Sequence, residues 1–307
     1  MSHSLEKLRA DYVAWHPAQV ATDDIDPVYP WLRRLADEWD LDAEQRAWLV
    51  FCHVVWYHSG STLVGFETAS DVELLPDSVE GLWSSGLLGL PTETERRSHR
   101  PKPPLIKHLL SLRSTFLEAG GAWKWSNAAM GESEDPKERW LVLNDSLTKI
   151  VGNGRWAAYK TAEMLWKVCD LPVEAANAGH TYSSGPRKCL EMLHPDLPSG
   201  NQPEVIEHLD FLTEMWADQI GETDIARVET TLCDFRSMAH GRYYTGHDID
   251  SHQHALLALG DRIPHEAWEA RQDVFAPELL GELGGWSGVR KDLNVLYRDE
   301  GTIYRVN

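Results

Sequence analysis

Apolar residues recur with the period of an α-helix through most of this chain of 307 residues. Trp31, Leu32 and Leu35 follow the i, i+3, i+4 rule, and a second such run with Trp48 and Leu49 follows a short break. The same period recurs at 104–119, 138–151, 158–169, 186–193, 204–219, 224–239 and 251–259. Strand-like alternation is confined to residues 294–307, where it is compatible with a hairpin. The sequence therefore predicts an all-α, mainly helical fold with at most a short C-terminal β-hairpin.

Breaks in this pattern fall at 84–104, 120–137 and 194–203, which are rich in Gly, Pro, Ser or acidic residues. None is long or simple enough to act as a disordered linker, and the chain shows no internal repeat. We therefore expect residues 1–307 to form one compact helical domain, with two lobes as the alternative.

The four cysteines form no metal-binding or redox pair, since each is at least 20 residues from the next. A free Cys in a helical segment is most often a small buried apolar residue. The chain has no run of 18 apolar residues and no apolar leader. We therefore expect a cytoplasmic protein without a membrane partner.

Charge is distributed unevenly along the chain. Asp and Glu number 48 against 29 Lys and Arg, a formal charge of -19, which repels nucleic acid at long range. The segment 96–113 nevertheless carries six basic residues and no acid, whereas 204–234 carries nine acids and one Arg. The basic segment fits either a solvated face or a strip that follows a phosphate backbone. Its candidate DNA contacts are Arg96, Arg97 and Arg100.

The segment 149–165 combines two glycines with the start of a helix. Gly152 and Gly154 permit a tight turn with exposed backbone N–H groups, and a helix N-terminus binds an anion without a cationic side chain. With Lys160, Thr161 and Ala162 this segment resembles the helix-hairpin-helix motif of DNA glycosylases. The alternative is a helix C-cap glycine followed by an ordinary turn. The candidate DNA contacts are Gly152, Gly154, Arg155, Trp156, Lys160 and Thr161.

The next helix ends near Asp170, about where those glycosylases carry an essential Asp. The resemblance makes Asp170 a catalytic candidate. The alternative is an Asp that ends the helix before Leu171 and Pro172.

A polar turn precedes the helix that begins near Pro186. Ser183, Ser184, the helix amides and Arg187 predict a seat for a phosphate or carboxylate, to which His180 also contributes. Plain capping of the helix is the alternative.

The segment 237–254 is dense in polar and aromatic residues between two apolar helices. Such a loop is more typical of a functional site than of a core. Asp248 and Asp250 are candidate general bases, Arg242 a candidate for phosphate or carboxylate, and Tyr243 and Tyr244 candidates for stacking on a base.

A metal site is the weaker interpretation of the same segment, because alternate-residue spacing suits a strand or loop and Asp250 is placed to cap helix 251–259. Its ligands would be Asp248, Asp250, His252 and His254. We predict no metal and no cofactor.

Several motifs together resemble the phage amino acid:DNA transferases, also called α-glutamyl/putrescinyl thymine pyrophosphorylases. The resemblance covers about residues 25–260. The motifs are Asp26-Pro27-x-Tyr29, Glu44-Gln45-Arg46-x-Trp48-Leu49 with Trp56-Tyr57-x-x-Gly60-Ser61, Arg96-Arg97-x-x-Arg100, the hairpin 152–162, Ser184-Gly185-Pro186 and Arg242-Tyr243-Tyr244-x-Gly246-x-Asp248-x-Asp250.

This resemblance implies a helical, glycosylase-related fold that modifies thymine in phage DNA. It implies two partners: double-stranded DNA carrying (pyro)phosphorylated 5-hydroxymethyluracil, and a free amino acid or amine that displaces the phosphate. The expected location is then the host cytoplasm during infection. Asp248 or Asp250 would be the base, with Asp170 as second choice, and Arg187 and Arg242 would meet the phosphate or carboxylate. The alternatives are a helix-hairpin-helix DNA glycosylase, a non-catalytic DNA-binding module and a structural helical protein.

Overall fold

The computed structural model describes residues 5–93, 102–240, 243 and 245–280. Every regular element in these ranges is a helix, which confirms the predicted all-α class. The segment 294–307, expected to form the β-hairpin, lies outside them. The α-helices are α1 Leu5–Ala21, α2 Val28–Glu38, α3 Ala43–Trp56, α4 Ser59–Thr68, α5 Val79–Ser84, α6 Lys102–Ala119, α7 Ala122–Ala129, α8 Pro136–Thr148, α9 Arg155–Cys169, α10 Ser184–Leu193, α11 Pro203–Ile220, α12 Ile225–Ala239, α13 His247–Leu257, α14 His265–Val274 and α15 Pro277–Leu280.

The chain divides into two compact units. Unit 1 comprises residues 1–27, 175–251 and 275–307, and its described core packs α12 against α1, α10 and α11. Tyr12 lies at its centre, with its ring edge-on to Trp216 at 5.4 Å and to Phe235 at 5.2 Å. Its hydroxyl lies 3.3 Å from Thr231 Oγ1, so the buried polar group has a partner.

Unit 2 comprises residues 28–174 and 252–274. Helix α3 is its central element, buried along almost its whole length against α4, α7 and α9. A capping box between Asp42 and Gln45 fixes the start of this helix. Trp31 is fully buried on α2, and its indole N–H donates to the carbonyl of Ala267 at 2.9 Å. The aromatic residues that the periodicity placed at 31 and 48 therefore build this core.

Several helices lie outside the predicted runs: α1, α4, α5, α7, α14 and α15. Helix α7 lies inside the predicted break 120–137; it buries Ala122 and Ser126, a face too short to establish a period. Helix α4 follows α3 after only two residues, and a glycine such as Gly60 in that region would ordinarily suggest a helix end. Tyr57 ends α3 instead, in the left-handed region at φ 51°, while Gly60 is buried inside α4, where a Cβ would lie 2.5 Å from the Ala255 carbonyl oxygen.

The start of α13 is also earlier than expected. The sequence places Asp250 as the cap of helix 251–259, but the helix begins at His247 and Asp250 lies in its first turn. Among the residues described, no helix is long and apolar enough to cross a membrane.

Candidate functional site

In unit 1, the start of α13 is organised by a carboxylate from a distant part of the sequence. Asp24 lies in the turn after α1, is fully buried, and accepts five hydrogen bonds. Three are from backbone N–H groups of the α13 start, so Asp24 performs the role of a helix cap. The donors are the backbone N–H groups of Gly246 at 2.6 Å, Asp248 at 3.2 Å and Ile249 at 3.1 Å, the Tyr243 hydroxyl at 2.7 Å and the Gln19 amide at 3.2 Å.

Burial dominates the ionisation of this cluster. Burial, followed by the negative charge of Asp248, raises the pKa of Asp24 to about 7, against the effect of the hydrogen bonds from Tyr243, Ile249 and Gly246. Burial also raises the pKa of Tyr243, and the carboxylates of Asp234, Asp24 and Asp248 add to the rise. The Tyr243 hydroxyl therefore stays protonated and donates a hydrogen bond to Asp24.

These contacts give Tyr243 a structural role, and its stacking on a base stays a prediction. Its side chain is buried and its hydroxyl is hydrogen-bonded to Asp24 and, at 2.9 Å, to Gln19. Tyr243 fixes the segment that leads into α13.

Asp248 and His247 form the accessible part of the cluster. Asp248 Oδ1 lies 2.8 Å from His247 Nδ1, and the two side chains are 38% and 33% exposed. Burial lowers the pKa of His247, but the hydrogen bond to Asp248 and the charges of Asp248, Asp24 and Asp250 more than offset this and raise it. Asp250 is buried. Of the two predicted bases, Asp248 is therefore the one that solvent and a ligand reach.

The start of α10 in unit 1 differs from the predicted anion seat. Ser183 precedes the helix, but its hydroxyl donates to Glu229 at 2.8 Å rather than capping the helix, and Ser184 is exposed. Arg187 donates to Asn201 Oδ1 at 2.6 Å and to the Gly200 carbonyl. The guanidinium of Arg187 is thus bonded to groups of the protein itself, and its role in binding an anion stays a prediction.

His180 is buried a few residues before α10. Its Nε2 lies 2.8 Å from the Thr213 hydroxyl, and burial, with the nearby charge of Arg187, lowers its pKa to about 4. The imidazole is therefore neutral at physiological pH, so any contribution of His180 to the predicted seat would be a hydrogen bond rather than a charge.

Sequence reasoning missed the buried acids of unit 1. Glu229 is buried on α12, and Asp24 is buried in the turn after α1. Asp26, in the same turn as Asp24, accepts a hydrogen bond from the Thr230 hydroxyl at 2.8 Å. Glu229 belongs to the acidic run 204–234, for which the sequence predicted no buried member. The available signal was the run Asp23-Asp24-Ile25-Asp26, whose density of acids next to an apolar helix is typical of a turn with buried caps.

In unit 2, the predicted hairpin connects α8 to α9. Gly152 adopts φ 100°, which an L-residue rarely adopts, and Gly154 is the N-cap residue of α9. Because Gly154 has no side chain, the first turn of α9 has no side-chain cap. Gly152, Gly154 and Arg155 are exposed, and Trp156 is half-buried with its ring centroid 4.9 Å from that of Tyr57.

Two predicted DNA contacts lie inside α9 rather than on its surface. Lys160 is buried and its Nζ lies 2.9 Å from Glu163 Oε2, which also accepts from the Tyr29 hydroxyl at 3.2 Å. Thr161 is fully buried, and its hydroxyl donates to the Ala157 carbonyl. Their contact with DNA stays a prediction.

Asp170 is the C-cap residue of α9, in the left-handed region at φ 57°. Its exposed carboxylate receives two hydrogen bonds from Arg33, at 2.9 and 2.8 Å. The arrangement is that of a residue that ends a helix, the alternative that the sequence left open, and a catalytic role for Asp170 stays a prediction.

Five predicted contacts lie outside the described residues: Arg96, Arg97, Arg100, Arg242 and Tyr244. Within the residues described, no group of three or more His, Cys, Asp or Glu side chains is arranged to hold a metal ion.

Comparison with known proteins identifies relatives of this chain. The chain is similar to a glycinyltransferase of Pseudomonas phage PaMx11, with 25% identity over 286 residues that cover 84% of this chain and 93% of the relative. The profile of the amino acid:DNA transferase family matches residues 20–244, most of the chain. The protein is a member of the amino acid:DNA transferase family, a transferase that modifies DNA.

Proposed function

We propose that this transferase attaches an amino acid, through its α-amino group, to the C5 methylene of (pyro)phosphorylated 5-hydroxymethyluracil in phage DNA, in the cytoplasm of the infected host. A C–N bond forms at the methylene, the C–O bond to the leaving group breaks, and phosphate or pyrophosphate departs with the bonding electrons. The amine enters as an ammonium ion and must first lose a proton, since a protonated amine has no lone pair for attack. The reaction requires a general base and no redox partner.

Asp248 is the base in this proposal. Its carboxylate is half-exposed and hydrogen-bonded to His247, and the segment that carries both is held by the buried Asp24. A base within reach of solvent and fixed in position is what removal of a proton from an incoming ammonium requires. Asp250 is buried and supports the turn. This accessible Asp248–His247 pair, in a family that joins amino acids to DNA, is the observation that carries the proposal.

DNA binding is assigned to the hairpin between α8 and α9. The start of α9 at the exposed Gly154 has no side-chain cap, and Arg155 adds a positive charge at the same place, so this helix N-terminus is suited to a phosphate. Because the proposed contact is confined to this short segment, a chain with a formal charge of -19 can still bind DNA.

Glycine is the first amine to test, because the relative from phage PaMx11 is named for it. The experiment incubates the protein with duplexes that carry 5-hydroxymethyluracil, its monophosphate or its diphosphate, each with glycine, alanine, glutamate or putrescine. The DNA is then digested, and its nucleosides are identified by mass spectrometry. We expect an amine-linked thymidine from a phosphorylated duplex and none from the free hydroxymethyl duplex. Unchanged base with every amine would contradict the proposal, and abasic sites would replace it with a glycosylase.

A further inference from the structure

The hairpin contains a buried amide that the protein leaves without a partner. Asn153 lies between Gly152 and Gly154 and is only 6% exposed. Its backbone N–H donates to the Ile150 carbonyl at 3.0 Å, but neither Oδ1 nor Nδ2 has a hydrogen-bond partner among the described residues. A buried amide without partners destabilises the fold, and an apolar residue of similar size would avoid that cost. Stability alone therefore does not explain Asn153.

The surroundings of Asn153 are those of a surface turn. Val151, Gly152, Gly154 and Arg155 are all exposed, so the backbone on both sides is accessible. Glycine on each side permits backbone conformations that other residues rarely adopt, so a local change in the turn can bring the amide to a ligand at its tip. The first turn of α9 contains no acid and begins with Arg155, an arrangement that opposes the helix dipole unless an anionic ligand lies nearby.

The unpartnered atoms define what the ligand must present. Nδ2 needs an acceptor and Oδ1 needs a donor, so a phosphate group, which only accepts, satisfies one of them at most. A 5-substituted uracil presents a ring N3–H next to a carbonyl, and an amide pairs with both at once. We propose that Asn153 binds this edge of an unpaired 5-substituted pyrimidine in DNA. This inference rests on the proposed function for the identity of the base.

The test measures base recognition by binding alone. Two duplexes each carry one 5-hydroxymethyluracil opposite an abasic-site analogue, and in the second duplex this base is methylated at N3. We expect the wild-type protein to bind the first duplex about tenfold more tightly, because methylation removes the donor of a two-point contact. Asn153→Val should bind both equally. Asn144→Ala is the matched control, since Asn144 donates to Trp140 on α8, and it should keep the preference.

Thermal unfolding separates this role from a structural one. If the Asn153 amide binds a base, Asn153→Val loses the preference for the unmethylated base while its Tm equals or exceeds that of the wild type. Equal binding of both duplexes by the wild type would overturn the inference, as would an Asn153→Val variant that keeps the tenfold preference. A Tm below that of the wild type, by about 2 °C or more, would show that the amide stabilises the fold and would also overturn it. Because no amine is present, the result is independent of whether amine transfer is detected.

Discussion

Two helix starts in this protein solve the same physical problem in opposite ways. The first turn of α13 is capped by Asp24, whose carboxylate accepts three of its backbone N–H groups. The first turn of α9 follows Gly154 and has no side-chain cap. Each helix leaves about four N–H groups without an intrahelical partner at its start. Asp24 satisfies such groups at α13, whereas α9 begins without a side-chain cap.

In the proposed function the two segments have different roles. A capped start is rigid and positions side chains, and it presents Asp248 and His247 in a fixed geometry. An uncapped start with exposed glycines is suited to binding an anion. The contrast is thus between a segment built for chemistry and a segment built for attachment to DNA.

The largest expected effect is on the chemistry at the capped helix. Asp248→Asn should lower the rate of amine transfer by about 100-fold or more, since general base catalysis typically contributes that much. Single-turnover assays measure the rate, and the Tm should change little because the side chain is half-exposed. Asp145→Asn is the control, an exposed Asp paired with Lys149 on α8. A variant at position 248 with wild-type turnover would remove Asp248 from the mechanism.

The second prediction removes the carboxylate of Asp24 that caps α13. Asp24→Asn places an amide where five donors converge, so we expect a loss of about 3 kcal/mol in the free energy of unfolding. Urea unfolding measures it. Asp135→Asn is the matched control, because Asp135 caps α8 from the surface and Asn is an equally good cap. Equal stabilities for the two variants would show that Asp24 is not the organising group.

A third prediction concerns the pH dependence of a second capped helix, α4 in unit 2. His58 caps α4 through Nδ1, and burial lowers its pKa to about 4. The unfolded chain binds a proton at about pH 6.5, so the free energy of unfolding should fall as the pH falls from 6.5 towards 4. His58→Asn keeps a cap without the titration and should reduce this fall by about 2 kcal/mol. An unchanged pH dependence in urea titrations would contradict the role of His58.

The smallest effect is expected at the uncapped start. Arg155→Ala should weaken binding to duplex DNA about threefold and reduce the slope of log affinity against log salt by about 1, the value for one lost phosphate contact. Fluorescence anisotropy at several salt concentrations measures both. Arg33→Ala is the control, since Arg33 pairs with Asp170. The same salt slope for wild type and Arg155→Ala would exclude this turn from the DNA contact.

Helical periodicity predicted the fold class because most helices bury a regular apolar face. It missed α7, whose eight residues are too few to establish a period, and it misjudged Gly60, which is enclosed in α4 by packing rather than exposed at a helix end. The glycine turn at 152–154 was predictable, since Gly152 adopts φ 100°, which other residues rarely adopt.

The arrangement of the site was less predictable. Asp248 was found from its polar segment, but its support, Asp24, lies more than 200 residues away in sequence, and no local pattern connects the two. The burial of Lys160 and Thr161 was equally hard to foresee. Their residue types suit DNA binding, but burial in α9 and the pairing of Lys160 with Glu163 follow from tertiary packing.

The most direct test of the central claim follows the atoms of the reaction. The protein is given a duplex with the diphosphate of 5-hydroxymethyluracil and glycine labelled with nitrogen-15, and the released phosphate species and the digested nucleosides are quantified together. We predict one labelled nitrogen in each modified thymidine and one leaving group released per modified base. Release of the leaving group without labelled nucleoside, or labelled glycine found only free in solution, would contradict the account.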